Sequence, residues 1–244
     1  MTAEFFILFA EDVLTNSNKK KKLDIIKYFF DNFIMILFLD TVSPLPEFSL
    51  IEDNKVIYSL KILNNDHQKM SDYIIPAYND IDKIYSLSNK LELLLVNTGP
   101  GSYTALRVGI AFLAGLSMSR KIKFIGISCA DLIIYEIHKN VMQSTAILIQ
   151  SSKDQNFFLK YDNTTNNYNI KKIDSYNENL NLENIRIILT NADKQHNYFN
   201  ISKKISFKKI SFKNIVFNNF DNILTLQQQE IVEPIYISNN NILN

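Results

Sequence analysis

A chain of 244 residues, 46% of them hydrophobic, is long enough to bury one large core or two small ones. Its 26 basic and 25 acidic residues leave a net charge of +1, so no global field draws it toward nucleic acid or an acidic surface. A single cysteine, Cys129, excludes an internal disulfide framework and fits a reducing cytosol, which makes the cytoplasm the expected location.

Residues 1–34 open with a short apolar run, Phe5–Ala10, bracketed by Glu4, Glu11 and Asp12. It has neither the basic leader of a signal peptide nor the roughly 20 apolar residues of a membrane span. Lys19–Lys22 reads as a solvated basic stretch, and Leu23, Ile26, Phe30 and Phe33 recur at helical spacing. An appended, partly helical extension and a misassigned start both fit this segment. Met35–Leu39 is the first buried strand, ending at Asp40-Thr41. A hairpin follows, Phe48–Ile51 and Val56–Leu60 across the polar loop Glu52–Lys55. Ser71 is expected to cap a helix carrying Ile74, Ile75, Tyr78 and Ile81, with Pro76 about one turn in.

The stretch Leu91–Gly126 organises the rest. Leu91–Val96 has the length of a buried strand, and Asn97–Ser102 turns through Gly99-Pro100-Gly101, where glycines reach backbone angles closed to other residues. The helix after it, Ala105–Met118, has Arg107 as its only charge and is capped by Ser102 or Thr104. Leu106, Ile110, Leu113 and Ser117 form one stripe; Val108, Phe112 and Leu116 form another. A helix apolar all round must be covered all round, which a central position in the fold and a protein–protein surface both satisfy. Glycine in a helix costs roughly 1 kcal/mol against alanine, so Gly109 and Gly115 read as points of close approach by another backbone. On that reading Gly109→Phe or Ala114→Arg abolishes association and leaves the monomer folded.

Ile122–Ile125 is the next strand and Cys129–Glu136 the next helix, with Cys129 a small buried packing residue. The order β-β-β-α-β-α-β-α is that of the ribonuclease H-like lobe shared by actin and sugar kinases. A second lobe opens near Ser144–Ala146, with strands at Ala146–Gln150, Asn156–Tyr161, Tyr168–Ile173 and Arg186–Thr190 and a helix at Phe217–Leu226. The division is therefore an extension, 1–34, a first lobe, 35–143, and a reduced second lobe, 144–244.

Actin-like enzymes hold Mg²⁺-nucleotide between lobes with an acid on the first strand of each. Asp40 fits that role in the first lobe; the matching place in the second reads Gln150, which brings no charge. The turn at Gly99, Gly101 and Ser102 lacks both the P-loop lysine and the dinucleotide spacing, although amides at a helix start can bind phosphate. A purely structural turn explains it equally well. His67, His138 and His196 are scattered, so no metal site is expected, and no G-x-S-x-G elbow makes Ser102 a nucleophile. No catalytic residue is assigned. In Lys203–Lys213, KKISFKKISFK, lysines interleave with phenylalanines as in nucleic-acid surfaces. The two Ile-Phe pairs fall out of phase, so a kinked edge strand guarded by lysines accounts for the same pattern.

The run GPGSYTALRVGIAFLAGL resembles the GPGSFTGLRIG signature of the TsaB (YeaZ) family, which serves the synthesis of threonylcarbamoyladenosine in bacterial tRNA. Met35–Thr41 resembles the family's first strand, Ser71-Asp72 and Ile75-Pro76 its Ser-Glu-x-Leu-Leu-Pro helix start, and Glu233-Pro234-Ile235-Tyr236 its Pro-x-Tyr. The resemblance implies an α/β, actin-like two-lobe fold with a degenerate, shortened second lobe. It implies a non-catalytic subunit that docks onto TsaD, the transferase, with the ATPase TsaE resetting the assembly and tRNA met through the complex. Tyr73, Ile74, Arg107, Gly109, Ile110 and Ala114 are the expected interface, on helices that also make homodimers in the family. No cofactor is implied beyond weak ATP or ADP binding at the interface, with Asp40, Gly99, Gly101 and Ser102 as its contacts. Ala105 in place of a signature glycine, Met70 in place of a common histidine and the missing second-lobe Asp-Ala-Arg depart from the pattern, and bear on nucleotide more than on docking. An ATP-using kinase-like enzyme and a self-associating scaffold that does not meet TsaD are the rival readings.

Overall fold

The computed structural model describes residues 35–244 apart from 53–54, 66, 88–89, 138–143, 153–154, 163, 166, 174–179, 181, 193–204, 239–240 and 244. The expected extension at 1–34, His138 and His196 lie outside the described residues. No described helix is long and apolar enough to cross a membrane.

Two five-stranded sheets carry the fold. The first joins β1 (Met35–Asp40), β2 (Glu47–Glu52), β3 (Lys55–Lys61), β4 (Leu91–Asn97) and β5 (Lys123–Ile127) in the order β3-β2-β1-β4-β5. β1 pairs antiparallel with β2 and parallel with β4. The second joins β6 (Thr145–Ser152), β7 (Gln155–Asp162), β8 (Asn167–Ile173), β9 (Ile187–Thr190) and β10 (Ser206–Lys209) in the order β8-β7-β6-β9-β10. β6 pairs antiparallel with β7 and parallel with β9, so the second sheet repeats the first strand for strand. The crossovers differ: they run over 62–90 and 98–122 in the first sheet and only over 174–186 and 191–205 in the second.

β1 lies in the middle of its sheet with all six residues buried, as a continuous apolar strand covered on both faces must be. Alternation along the strands separates the faces. On one, Leu37, Leu39, Phe48 and Leu50 meet α1 (Met70–Tyr85) and α2 (Tyr103–Arg120) in a single cluster. Phe48, Tyr78 and Phe112 knit sheet and both helices through edge-to-face contacts with centroids 5.4–6.5 Å apart. On the other, α3 (Cys129–Ile134) packs on α4 (Phe212–Asn218), which returns from the second sheet to β1 and β3 and precedes α5 (Phe220–Leu224). Lys213 of α4 donates to Glu47 at 2.7 Å and to Ser59 at 3.2 Å.

Three local expectations change. α1 begins at Met70 after Lys69, and the Ser71 hydroxyl donates to Asp72 instead of capping. The expected helix at Phe217–Leu226 is two shorter ones, α4 and α5, beginning at Phe212. In the KKISF repeat the kink is a change of element: the first Phe lies in edge strand β10, whereas Ile210 and Phe212 are buried and Phe212 starts α4.

The C-terminal segment crosses the ends of β4 and β5 as a strap. Gln229 donates to the Gly126 carbonyl at 3.0 Å and accepts from its amide at 3.3 Å, pairing with β5 as a neighbouring strand would. Val232 passes so close that a Cβ on Gly126 would stand 2.4 Å from its Cγ1. Ile235 N–H then donates to Thr98 at 2.8 Å, and the chain ends in the hairpin β11 (Tyr236–Ser238) and β12 (Asn241–Leu243).

Candidate functional site

The residues singled out in the sequence fall into two places. The Asp40 loop and Gly101 meet at a seam between the first sheet and the second, with Gly99 and Ser102 in the same turn as Gly101. Asp40 ends β1 buried. Its Oδ1 accepts the Val42 and Ser43 amides at 2.9 and 3.2 Å, and its Oδ2 accepts the Ser43 hydroxyl at 2.6 Å. Two neighbouring amides in a turn form an anion site, and here the chain's own carboxylate fills it. Asn191, after β9, closes the gap: it accepts the Gln150 amide at 2.8 Å, donates to the Gln150 carbonyl at 2.9 Å and donates to Ser43 Oγ at 3.3 Å. Gly101 sits at the seam, since a Cβ there would meet Val42 at 3.3 Å and Ser151 Oγ at 3.4 Å. Gly99 has a φ of +115°, which a side chain would strain, and precedes the cis bond to Pro100. Ser102 stands at the N-cap of α2, but its hydroxyl makes no cap bond.

Below the turn, buried Asn97 accepts the Gly99 amide at 3.2 Å and the Cys129 thiol at 3.3 Å. Burial, reinforced by the nearby Asp40, pushes the Cys129 thiol well above its ordinary range, so it stays protonated and packs as expected. Burial likewise raises the Asp40 carboxyl above 3.8, against the hydrogen bonds from Ser43 and Val42. The folded state therefore holds the Asp40 proton more tightly than the unfolded chain. The resulting stabilisation is full below the unfolded value of about 3.9 and is lost as pH rises through the raised one. Asp40→Asn keeps an acceptor for both amides and removes the charge. It is expected to match the wild type in acid and exceed it near neutrality, whereas Asp40→Ala loses three hydrogen bonds, about 2–3 kcal/mol. Urea midpoints measured across that pH range check both. Among the described residues no group of three or more His, Cys, Asp and Glu could hold a metal.

The second place is the outer face of α1 and α2. Of the expected interface residues, Tyr73 and Arg107 are exposed and Ala114 is half-buried. Ile74, Gly109 and Ile110 are not available to a partner, because they turn inward onto the core. Gly109 is the close approach the sequence suggested, but to this chain's own sheet: a Cβ there would lie 2.4 Å from Thr41 Cγ2 and 3.0 Å from Leu39 Cδ2. The face that reaches solvent is Thr104, Arg107, Ala111, Gly115 and Met118, with Met118 83% exposed. A Cβ on Gly115 would meet nothing within 4 Å. The signal was present: Arg107, the one charge, fixes the phase, and positions 4, 8 and 11 residues on are Ala111, Gly115 and Met118. Ile75 and Ile84 of α1 are exposed as well, but nine residues apart they lie on opposite flanks of that helix.

At one end of this face Arg107 lies 3.9 Å over the Tyr103 ring and donates from Nε to the Tyr236 hydroxyl at 2.7 Å. Tyr103 and Tyr236 stack at 4.5 Å between centroids. Tyr236 arrives from the strap, a contact across 129 positions that spacing could not reveal.

Paired sheets with the same strand order, the second on shortened crossovers, define an α/β protein of the ribonuclease H-like, actin-like class. The family described as "TsaD: tRNA N6-adenosine threonylcarbamoyltransferase" matches residues 67–240, and the chain belongs to it. Its fold is that of YeaZ from Pseudomonas aeruginosa, similar at 12% identity with a TM-score of 0.52, over 83% of this chain and 99% of that one. A second structure, of an uncharacterized protein with similarity to peptidase YeaZ from Pseudomonas aeruginosa, is similar at 13% identity and a TM-score of 0.54, over 84% and 99%. The TsaB (YeaZ) resemblance carried by the Gly-Pro-Gly motif agrees with both. No curated protein matches this sequence.

Proposed function

We propose that this chain is a non-catalytic subunit for tRNA threonylcarbamoyladenosine synthesis that docks onto a TsaD-type transferase through α1 and α2 and holds it active. The observation that carries the reading is the stripe Ala111, Gly115, Met118: apolar, small enough for another helix to approach closely, and open to solvent. A second helix pair laid on it buries that surface as a bundle does.

The cleft supports the same reading from the other side. A Mg²⁺-nucleotide needs carboxylate oxygens and loop amides free to receive it. Here both Asp40 oxygens and the Val42 and Ser43 amides are joined to one another, and Asn191 ties Gln150 to Ser43 across the seam. These residues do not fit the group, and no phosphoryl transfer is derived for them. Asp40 is a structural acid in this account, and the weak nucleotide contacts expected at Gly99, Gly101 and Ser102 play no part in it. TsaE and tRNA would then be met through the assembled complex.

The test is the transfer of threonylcarbamoyl to tRNA by the TsaD-type subunit of the same source, with and without this chain. A rate that rises to a plateau at one chain per transferase is the expected result. A rate indifferent to the chain, with ATP hydrolysis by the chain alone that Asp40→Ala abolishes, would favour the kinase-like reading. A chain that pairs only with itself would favour the scaffold.

A further inference from the structure

We infer that Arg107 is the charged anchor of the docking face and receives a carboxylate side chain from the protein that covers it, held ready for this by Tyr236. The inference rests on the docking role proposed above and names the group the partner must bring.

Arginine loses much rotamer freedom when it binds, and this one has lost it beforehand. Its guanidinium is stacked on Tyr103 at 3.9 Å, lies 5.4 Å from the Tyr236 ring centroid, and is fixed at Nε by the Tyr236 hydroxyl at 2.7 Å. With Nε spent, the Nη1–Nη2 edge of the fork remains, and among the described residues no acceptor engages it and no carboxylate lies within ion-pair distance. The first turn of α2 holds no acid, although a helix start favours one. An oriented guanidinium packed on a pair of tyrosines, beside the apolar Ala111, Gly115 and Met118, has the composition of an interface hot spot.

The missing anion is a carboxylate of a protein and not the backbone of an RNA. Phosphate chains are held by several cations together. This stripe has Arg107 alone until Lys121 at the far end of α2, and α1 beside it exposes Asp72 and Asp80 together with Lys69 and Lys83, the last 3.7 Å from Asp80. Two parallel hydrogen bonds from one fork edge suit a single carboxylate. Tyr236 is a positioning residue in this arrangement, so the strap completes the docking face.

The test uses the full chain and the TsaD-type subunit of its source, with Kd measured at low and high salt. Arg107→Met is expected to weaken binding at least 30-fold and to remove most of its salt dependence, with the urea midpoint unchanged. Arg107→Lys, which keeps charge but not the fork, recovers only a small part. Tyr236→Phe keeps the ring and frees the guanidinium, and weakens binding several-fold only while Arg107 is present. If the wild type binds and Arg107→Met binds equally, with the same salt slope, the anchor is overturned and the docking reading stands. If the variant loses only tRNA affinity of the complex, the anion is a phosphate and the inference is wrong. If the wild type does not bind at all, docking and anchor fall together.

Discussion

Gly109→Phe, which the sequence alone would have the folded monomer tolerate, is expected to abolish the cooperative unfolding transition. Gly109 is where α2 is pressed onto the sheet, with the position of a Cβ 2.4 Å from Thr41, 3.0 Å from Leu39 and 3.4 Å from Met70. The two nearest cannot easily give way, because the Thr41 hydroxyl is tied to the Asn97 carbonyl at 2.6 Å and Leu39 is fully buried in β1; only the Met70 tip, at ordinary contact distance, can. One added methyl already overpacks the site by about 1–3 kcal/mol, set against roughly 1 kcal/mol of gained helix propensity. A benzyl group must lift the helix, and the loss approaches the whole of a marginal stability of about 5–15 kcal/mol. Urea denaturation followed by far-UV circular dichroism reads this directly. A Phe variant with an unchanged midpoint would mean that α2 is not seated as described.

Gly115→Arg, six residues further along the same helix, is expected to do the opposite. Its Cβ enters open space, so the monomer gains about 0.5–1 kcal/mol of helix propensity and unfolds later. What it is expected to lose is the proposed partner. A guanidinium on an arm of several carbons, planted between Ala111 and Met118, prevents a second helix from approaching and leaves a buried charge without a mate. Association is expected to weaken at least 100-fold while the urea midpoint holds or rises. Two glycines in one helix thus separate folding from docking.

The contrast between these glycines also shows what the sequence could and could not carry. Most of the strands were legible because they are short apolar runs bounded by turn residues, whereas the duplication was implied by the family resemblance, with which the second-lobe strand order was compatible. The phase of α2 was not, because apolar residues surround the helix and periodicity alone does not say which stripe meets the sheet. Arg107 held that information as a single mark. Ser71 has the right chemistry for a cap, but α1 starts one residue before it. The strap was invisible for another reason: the Gln229 side chain pairs with Gly126 across 103 positions, and the expected strand stopped at Ile125, one residue short of that glycine. Asp40 was found as an acid at the end of the first strand, but whether it faces a ligand or its own loop depends on Ser43 and Asn191, which no motif joins.

The open stripe of α2 is proposed as the docking face for a TsaD-type transferase. Its most direct test is the molar mass of the mixture of the two purified proteins, by light scattering behind a sizing column, for the wild type and for Gly115→Arg. A heterodimer with the wild type, and separate monomers with the folded variant, is the result this account predicts. A heterodimer that forms equally well with Gly115→Arg would place the partner elsewhere and contradict it.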